Sequence, residues 1–351
     1  MTKRAGIVLA GGKAERFQEN NGTWQDKALA ELSGKPLIVH AVENLREVVE
    51  EIVICVNDGA RKAQYTSILA KNGINNVRLL VDEKIDHLGG PLVAIYTGLK
   101  AVEAEFCITL PGDMPMVQPA VIEYMFGELK DSRVVVPVCP NGRLETLVMV
   151  LERGSALEIA STLCQLKRPR SDDIIRGALK VLFVSTVGEI MALDPELKSF
   201  VNINSREDLA RLQPRCVDGP VTQNIRLNLG SLPLAELEHL RDASVLCQEG
   251  KFVEASRVFS SCADHFEGKE LFFWAALSRE NEGKSLLSGF KNQLKSELFS
   301  EHVVAGRKAL LEAAKNYGFE AEVHESCGCV FLSERARSDK LWCESRAKEL
   351  A

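Results

Sequence analysis

The sequence predicts an α/β fold: a Rossmann-like, mostly parallel sheet with an antiparallel addition, followed by an α-helical C-terminal domain. Three observations predict it. Short apolar runs alternate with helix-compatible segments as far as Leu110. Two more strand-like runs then face each other across a turn-rich link. Beyond residue 231 the strand signals almost vanish.

Residues 5–10, 52–56, 77–81 and 106–110 are short and nearly continuously apolar, the pattern of strands buried on both faces of a sheet. Helix-compatible segments at 36–49, 60–72 and 91–104 separate them, with Pro36 and Pro91 where a first helical turn accepts proline. Such repetition implies right-handed crossovers between parallel strands. Residues 134–138 and 146–151 make a hairpin candidate across Cys139-Pro140-Asn141-Gly142-Arg143. Residues 181–185 and 200–203 read as later strands, and 205–212 as a helix capped by Ser205.

At 351 residues the chain exceeds the usual single-domain size. The expected division is a first domain over 1–215, a linker over 216–231 that holds Gly219, Pro220 and Gly230, and a helical domain over 232–351. Residues 243–265 read as two helices joined by a Glu249-Gly250-Lys251 turn. The spacing of Leu246, Gly250, Phe252, Ala255 and Phe259 matches one tetratricopeptide repeat, and residues 271–283 suit the start of another. An irregular helical bundle accounts for the pattern equally well. Phe272-Phe273-Trp274 reads as helix core.

The net charge of −6 speaks against a general nucleic-acid or anionic-membrane binder. The N-terminal apolar run is too short for a signal peptide, so a cytoplasmic protein is expected. Ten scattered cysteines then need no disulfides, and Cys327-Gly328-Cys329 is tighter than zinc ligand pairs prefer.

Leu9-Ala10-Gly11-Gly12-Lys13 follows the first strand, and Arg16 comes shortly after. Two glycines at a strand's carboxyl end let backbone N–H groups turn toward an anion without Cβ obstruction. Ligands of open parallel sheets bind at those ends, so the loop suits a triphosphate; a purely structural turn is the alternative. Neither the Walker spacing nor the dinucleotide fingerprint is present. Asp113, at the end of the fourth strand-like run, is a carboxylate suited to a hard Mg²⁺ that bridges phosphate oxygens, or alternatively a helix cap.

Leu9 to Arg16, Asp26-Lys27-Ala28-Leu29 and Gly34-Lys35-Pro36-Leu37 together resemble the nucleotidyltransferase superfamily, and within it the molybdenum-cofactor guanylyltransferases. The resemblance covers residues 5–212. Asn57 follows the second strand and Asp82 the third. Gly89-Gly90-Pro91-Leu92 opens the next helix, Leu110-Pro111-Gly112-Asp113 ends the fourth strand, and Phe200-Val201-Asn202-Ile203-Asn204 closes the domain. The resemblance implies a catalytic set of Lys13, Arg16, Lys27 and Asp113, and a metal site at Asp113 with Asn202 and Asn204. It implies nucleotide contacts from Leu9, Ala10, Gly11, Gly12, Lys13, Lys27, Asn57, Asp82, Gly90 and Asp113.

The implied reaction is Mg²⁺-dependent transfer of GMP from GTP to a phosphorylated acceptor, molybdopterin, with release of pyrophosphate. Cytidylyl-specific relatives carry alanine and proline where this chain has Gly11 and Asp26, which points to guanine. Asp82 and Asn57 are candidates for base or ribose contacts. A sugar 1-phosphate, cobinamide phosphate or phospholactate acceptor stays open. So does a non-catalytic nucleotide-binding scaffold, although Gly12, Lys13, Arg16, Lys27 and Asp113 together argue against it. The appended helices are expected to serve a protein partner or self-association; the competing expectation is that they cover the acceptor site and exclude water during transfer.

Three departures from the family pattern stand out: an insertion at 18–25, Gly112 in place of the usual cysteine, and Val93-Ala94 in place of Ala-Gly. His40 reads as structural, His87 as a residue that lines the site, and Lys167-Arg168-Pro169-Arg170 as a basic loop either near the acceptor or solvated.

Overall fold

The computed structural model describes residues 3–12, 17, 26–86, 88–214, 216, 218–289 and 297–350. The chain divides into two compact units. The first comprises Met1–Cys164 and Arg168–Asn228, the second Gln165–Lys167 and Leu229–Ala351.

The first unit is built on β1 (Arg4–Leu9), β2 (Glu31–Leu32), β3 (Lys35–Pro36), α1 (Leu37–Leu45), β4 (Glu51–Val56), α2 (Gly59–Lys71), β5 (Arg78–Val81), α3 (Pro91–Ala101) and β6 (Phe106–Pro111). It continues with α4 (Pro119–Gly127), β7 (Val134–Val138), β8 (Met149–Glu152), α5 (Arg153–Gln165), α6 (Asp172–Gly177), β9 (Lys180–Ser185), α7 (Glu189–Leu193), α8 (Arg206–Arg211) and β10 (Ile225–Asn228). Among the described residues the main sheet has eight strands in the order β10-β9-β7-β8-β6-β1-β4-β5. β6, β1, β4 and β5 are mutually parallel, with β8 antiparallel to both β6 and β7 and β10 antiparallel to β9.

The continuous apolarity of β1 has a direct structural use. Val8 joins a core with Val42 and Leu45 of α1, Leu69 of α2 and Met125 of α4. Ile7 points to the other face, as strand alternation demands, and meets α3. A Cβ on Gly98 of α3 would lie 2.3 Å from Ile7 Cγ2, so glycine is what lets that helix approach the sheet. Helices therefore cover both faces, and four parallel strands deliver their carboxyl ends to one rim.

Three sequence expectations need correction. Residues 200–203 are not a strand: Lys198–Phe200 is a 3-10 turn, after which Val201 and Ile203 bury and Asn202 and Asn204 do not. Their pairing is with a loop rather than a sheet edge, as Ile203 N–H donates to the carbonyl of Asp113 at 3.1 Å. Residues 216–231 are not simply a linker, because Ile225–Asn228 extends the sheet as β10 with only Leu227 buried. An edge strand with one inward side chain leaves almost no periodic signal. Cys139 and Cys216, 77 residues apart, form a disulfide where none was expected. The segment after Cys216 folds back on the turn that follows β7, with Val221 N–H bonded to the Pro140 carbonyl at 2.9 Å, and this brings the thiols together.

Ser205 caps α8 as expected, in a reciprocal box with Asp208. The second unit contains α9 (Leu234–Gln248), α10 (Phe252–Gly268), α11 (Phe272–Ser288), α12 (Glu297–Ser326) and α13 (Val330–Lys348), each packed on the next from α9 to α13 where described. Trp274, Phe259, Phe266 and Tyr317 are its largest buried side chains. The α9–α10 pair has the expected helix–turn–helix form, with Gly250 at φ +79°. The 30 residues of α12 do not fit a repeat of about 34 residues that contains two helices. Among the described residues no helix is long and apolar enough to cross a membrane.

Candidate active site

A cleft of about 780 Å³ opens at the carboxyl rim of the parallel strands. It brings together Leu9, Ala10, Gly11, Gly12, Lys27, Asn57, Asp82, Gly90, Asp113, Asn202 and Asn204, residues drawn from seven separate stretches of sequence. Lys13 and Arg16 lie outside the described residues, as does His87. At three of the strand ends the ladder runs one residue past the strand. Ala10 N–H bonds Cys55 at 2.9 Å, Asp82 N–H bonds Val56 at 2.8 Å, and Gly112 N–H bonds Leu9 at 3.0 Å.

Lys27 sits at the start of a 3-10 turn that Asp26 caps through the Ala28 N–H. Its ammonium pairs with Asp113 and donates to Asn204 Oδ1 at 2.9 Å; Asn204 in turn donates to Asn202 Oδ1 at 2.9 Å. The closing motif therefore reaches the strand-end carboxylate through the lysine. Asp113 is 9% exposed, and its Oδ1 is buried without a hydrogen-bond partner.

A hard cation suits that orphaned oxygen. Mg²⁺ keeps several waters and takes one or two carboxylates plus substrate phosphates, so a single strand-end Asp fits it. The side-chain oxygens of Asn202 and Asn204 stand beside the same lysine–carboxylate pair. Among the described residues no cluster of three or more His, Cys, Asp and Glu side chains forms a protein-only metal cage.

On the other side of the cleft, Asp82 has a buried Oδ1 without a partner. Burial pushes its carboxyl up to about 6, against the opposing pull of Arg61. Asn57 follows β4 beside it and is exposed. Gly90 has φ +106°, a conformation that side chains other than glycine rarely adopt, and the Pro169 carbonyl closes on it. The basic loop thus meets the cleft wall through its backbone. The Arg168 and Arg170 guanidiniums turn instead to Asp173. Burial acts to raise the Asp173 carboxyl, and Arg168 and Arg176 outweigh it, holding the group below the usual carboxylate range.

Gly112 is the position where the sequence resemblance leads one to expect cysteine. A Cβ there would lie 2.8 Å from Ile38 Cδ1, so the isoleucine of α1 already occupies that space.

The MobA-like NTP transferase domain family matches residues 6–179, the stretch that carries Gly11, Gly12, Lys27, Asp82 and Asp113. Over 207 residues the chain is 33% identical to the "probable molybdenum cofactor guanylyltransferase" of Methanosarcina acetivorans, covering 59% of this chain and 88% of that protein. The chain belongs to the MobA-like NTP transferase family. It is a nucleotidyltransferase. A second relative of the same name, from Methanosarcina mazei, is 32% identical over 60% of this chain and 89% of its own length. A crystal structure of molybdopterin-guanine dinucleotide biosynthesis protein A from Archaeoglobus fulgidus is 23% identical, covers 60% of this chain and 96% of that chain, and has a TM-score of 0.48.

Sequence reasoning missed two buried residues beside Asp26 of the cleft wall. Arg61 of α2 is buried and pairs through Nε with Asp26 Oδ2 at 2.8 Å. Tyr65, one helical turn on, is fully buried, and its phenol is raised by burial and then by Asp26. An arginine at the third position of a helix is, in sequence, indistinguishable from a solvated one. His40, read as structural, bonds the Leu32 carbonyl at 2.9 Å.

Proposed function

We propose that this nucleotidyltransferase transfers GMP from GTP to a phosphorylated acceptor, molybdopterin, and releases pyrophosphate. The observation that carries the reading is the unpartnered Asp82 Oδ1 in the same cleft as the Lys27–Asp113 pair. A carboxylate there can accept N1–H and N2–H₂ of guanine, which no other common base presents together. Gly11 beside it leaves the space that a purine ring needs. The relatives' names point to the acceptor.

Chemistry follows from charge. Attack of the acceptor's phosphate on the α-phosphorus drives negative charge onto the departing β,γ-phosphates, and the protein's task is positioning and electrostatic stabilisation. Gly11 and Gly12 line the cleft at the end of β1, where backbone N–H groups can meet that charge. Lys27 brings an ammonium to it, held on line by Asn204. Asp113 would hold magnesium through its free oxygen, with Asn202 and Asn204 alongside; bound there, the ion supplies charge neutralisation at phosphate oxygens.

The test is pyrophosphate release screened over ATP, CTP, GTP and UTP with molybdopterin, a sugar 1-phosphate, cobinamide phosphate and phospholactate. GTP with molybdopterin should give the highest kcat/KM. Preference for another pair would replace the substrate assignment, and no release from any pair would favour the nucleotide-binding scaffold.

A further inference from the structure

An anion-binding loop has a geometric consequence behind it. Where peptide N–H groups turn toward phosphate, the neighbouring carbonyls turn into the protein, and each needs a donor there. At Ala10 and Gly12 the side chain of Arg61 meets that need. Arg61 donates from one terminal nitrogen to the carbonyls of Ala10 at 3.3 Å and Gly12 at 3.2 Å, while its Nε pairs with Asp26 at 2.8 Å. Asp26 in turn caps the turn that carries Lys27. Both charged side chains are nearly buried, at 6% and 5% exposure.

We propose that Arg61 is the positioning residue of the triphosphate site, one guanidinium that sets the peptide planes of the phosphate loop and, through Asp26, the placement of Lys27. The proposal rests on the nucleotidyl-transfer reading of the cleft. Its own helix fixes the donor: Asp58 caps α2 by accepting from the Arg61 N–H at 2.8 Å, which directs the arginine side chain from the first turn of α2 back over the end of β1. A planar fork bridges two carbonyls and a carboxylate at once; an ammonium at the same position is a point charge and cannot hold all three directions. The Arg61 guanidinium is turned to the Ala10 and Gly12 carbonyls and to Asp26, so it acts through the loop and through Asp26.

Full-length Arg61→Lys, Arg61→Met and the paired Asp26→Asn/Arg61→Met protein distinguish this from a merely structural role. The paired protein removes both charges together, so that no lone buried carboxylate is left to destabilise the fold. Binding of GTP and of guanosine is titrated with magnesium at pH 8, where Asp82 is ionised, and pyrophosphate release is followed with molybdopterin. Loop positioning predicts that GTP binding weakens about tenfold and kcat falls about a hundredfold. Guanosine binding and the melting temperature of Arg61→Lys should stay near the wild-type values. Wild-type GTP affinity and kcat in a folded variant would overturn the proposal. A parallel loss of GTP and guanosine affinity would also overturn it, as would failure of all three proteins to fold. If the wild-type protein uses another triphosphate, the guanine assignment fails, and the same split is read with that triphosphate and its nucleoside.

Discussion

Asp82 Oδ2 lies 3.3 Å from the point where a Cβ on Gly11 would stand, and the Asn57 backbone nitrogen lies 3.5 Å from it. Gly11 has no positive φ, so the backbone itself accepts alanine there. Gly11→Ala therefore places a methyl group against the carboxylate assigned to guanine while leaving the loop path intact. The GTP-over-CTP ratio of kcat/KM should fall about tenfold or more, the scale at which one methyl group discriminates in a pocket. Competition between the two triphosphates measures it; an unchanged ratio would remove Asp82 from base recognition.

The same carboxyl sets a pH dependence. Its value of about 6 in the free protein is raised by burial, with Arg61 acting against the rise. Below that pH Asp82 is protonated and no longer accepts both guanine N–H groups. Log kcat/KM for GTP should fall with decreasing pH through about 6, and the limb should disappear in Asp82→Asn. Because the folded value exceeds the unfolded one, the contribution of Asp82 to stability is fully present below about 3.9 and is lost as pH rises through its folded value. Melting curves of wild type and Asp82→Asn across that window should diverge accordingly.

Asp113→Asn keeps the shape of the side chain and removes its charge. Lys27 retains its bond to Asn204, so the cleft should stay folded. Pyrophosphate release at saturating Mg²⁺ should drop by about 100-fold or more, on the scale of losing one transition-state contact. A folded variant with near-normal turnover would exclude Asp113 as a magnesium ligand.

Gly98→Ala tests the closeness of α3 to β1. In an open helix the change would stabilise, whereas here the new methyl group meets Ile7 at 2.3 Å. The expected cost is about 1–3 kcal/mol. Chemical denaturation measures it, and an unchanged midpoint would mean that the helix shifts away freely.

Cutting the chain after residue 213 should be more harmful than cutting it after residue 230. The shorter form loses β10, the Cys139–Cys216 disulfide and the Val221 bond to Pro140. The longer form keeps the whole first unit. Melting temperatures of the two truncated chains decide it, and equal values would mean that β10 contributes nothing to the sheet.

What could be read from sequence was whatever repeats locally. The runs that became β1, β4, β6, β7 and β9 announce themselves because a strand buried on both faces must be apolar throughout, whereas β5, almost as apolar in sequence, is an edge strand whose residues are exposed or half-buried. The glycine loop is legible because Gly11-Gly12 follows a strand-like run and is joined in the right order by Asp26-Lys27 and Gly34-Lys35; the Gly-Gly pair alone would fit a structural turn equally well. Residues 200–203 misled because Val201 and Ile203 alternate with asparagines like a strand, yet Ile203 bonds the Asp113 carbonyl rather than a sheet edge. β10 was hidden because only Leu227 turns inward.

The sequence by itself determined the order of the strands β1, β4, β5, β6, β7 and β9, the glycine loop, and that Asn57, Asp82 and Asp113 follow strands. Tertiary structure decided which of those ends share a cleft, because the spatial order β6-β1-β4-β5 differs from chain order. It alone paired Lys27 with Asp113, more than eighty positions away in the sequence, and swung Arg61 onto the Ala10 and Gly12 carbonyls. Periodicity reports which side of an element is buried, and only packing determines what that side meets.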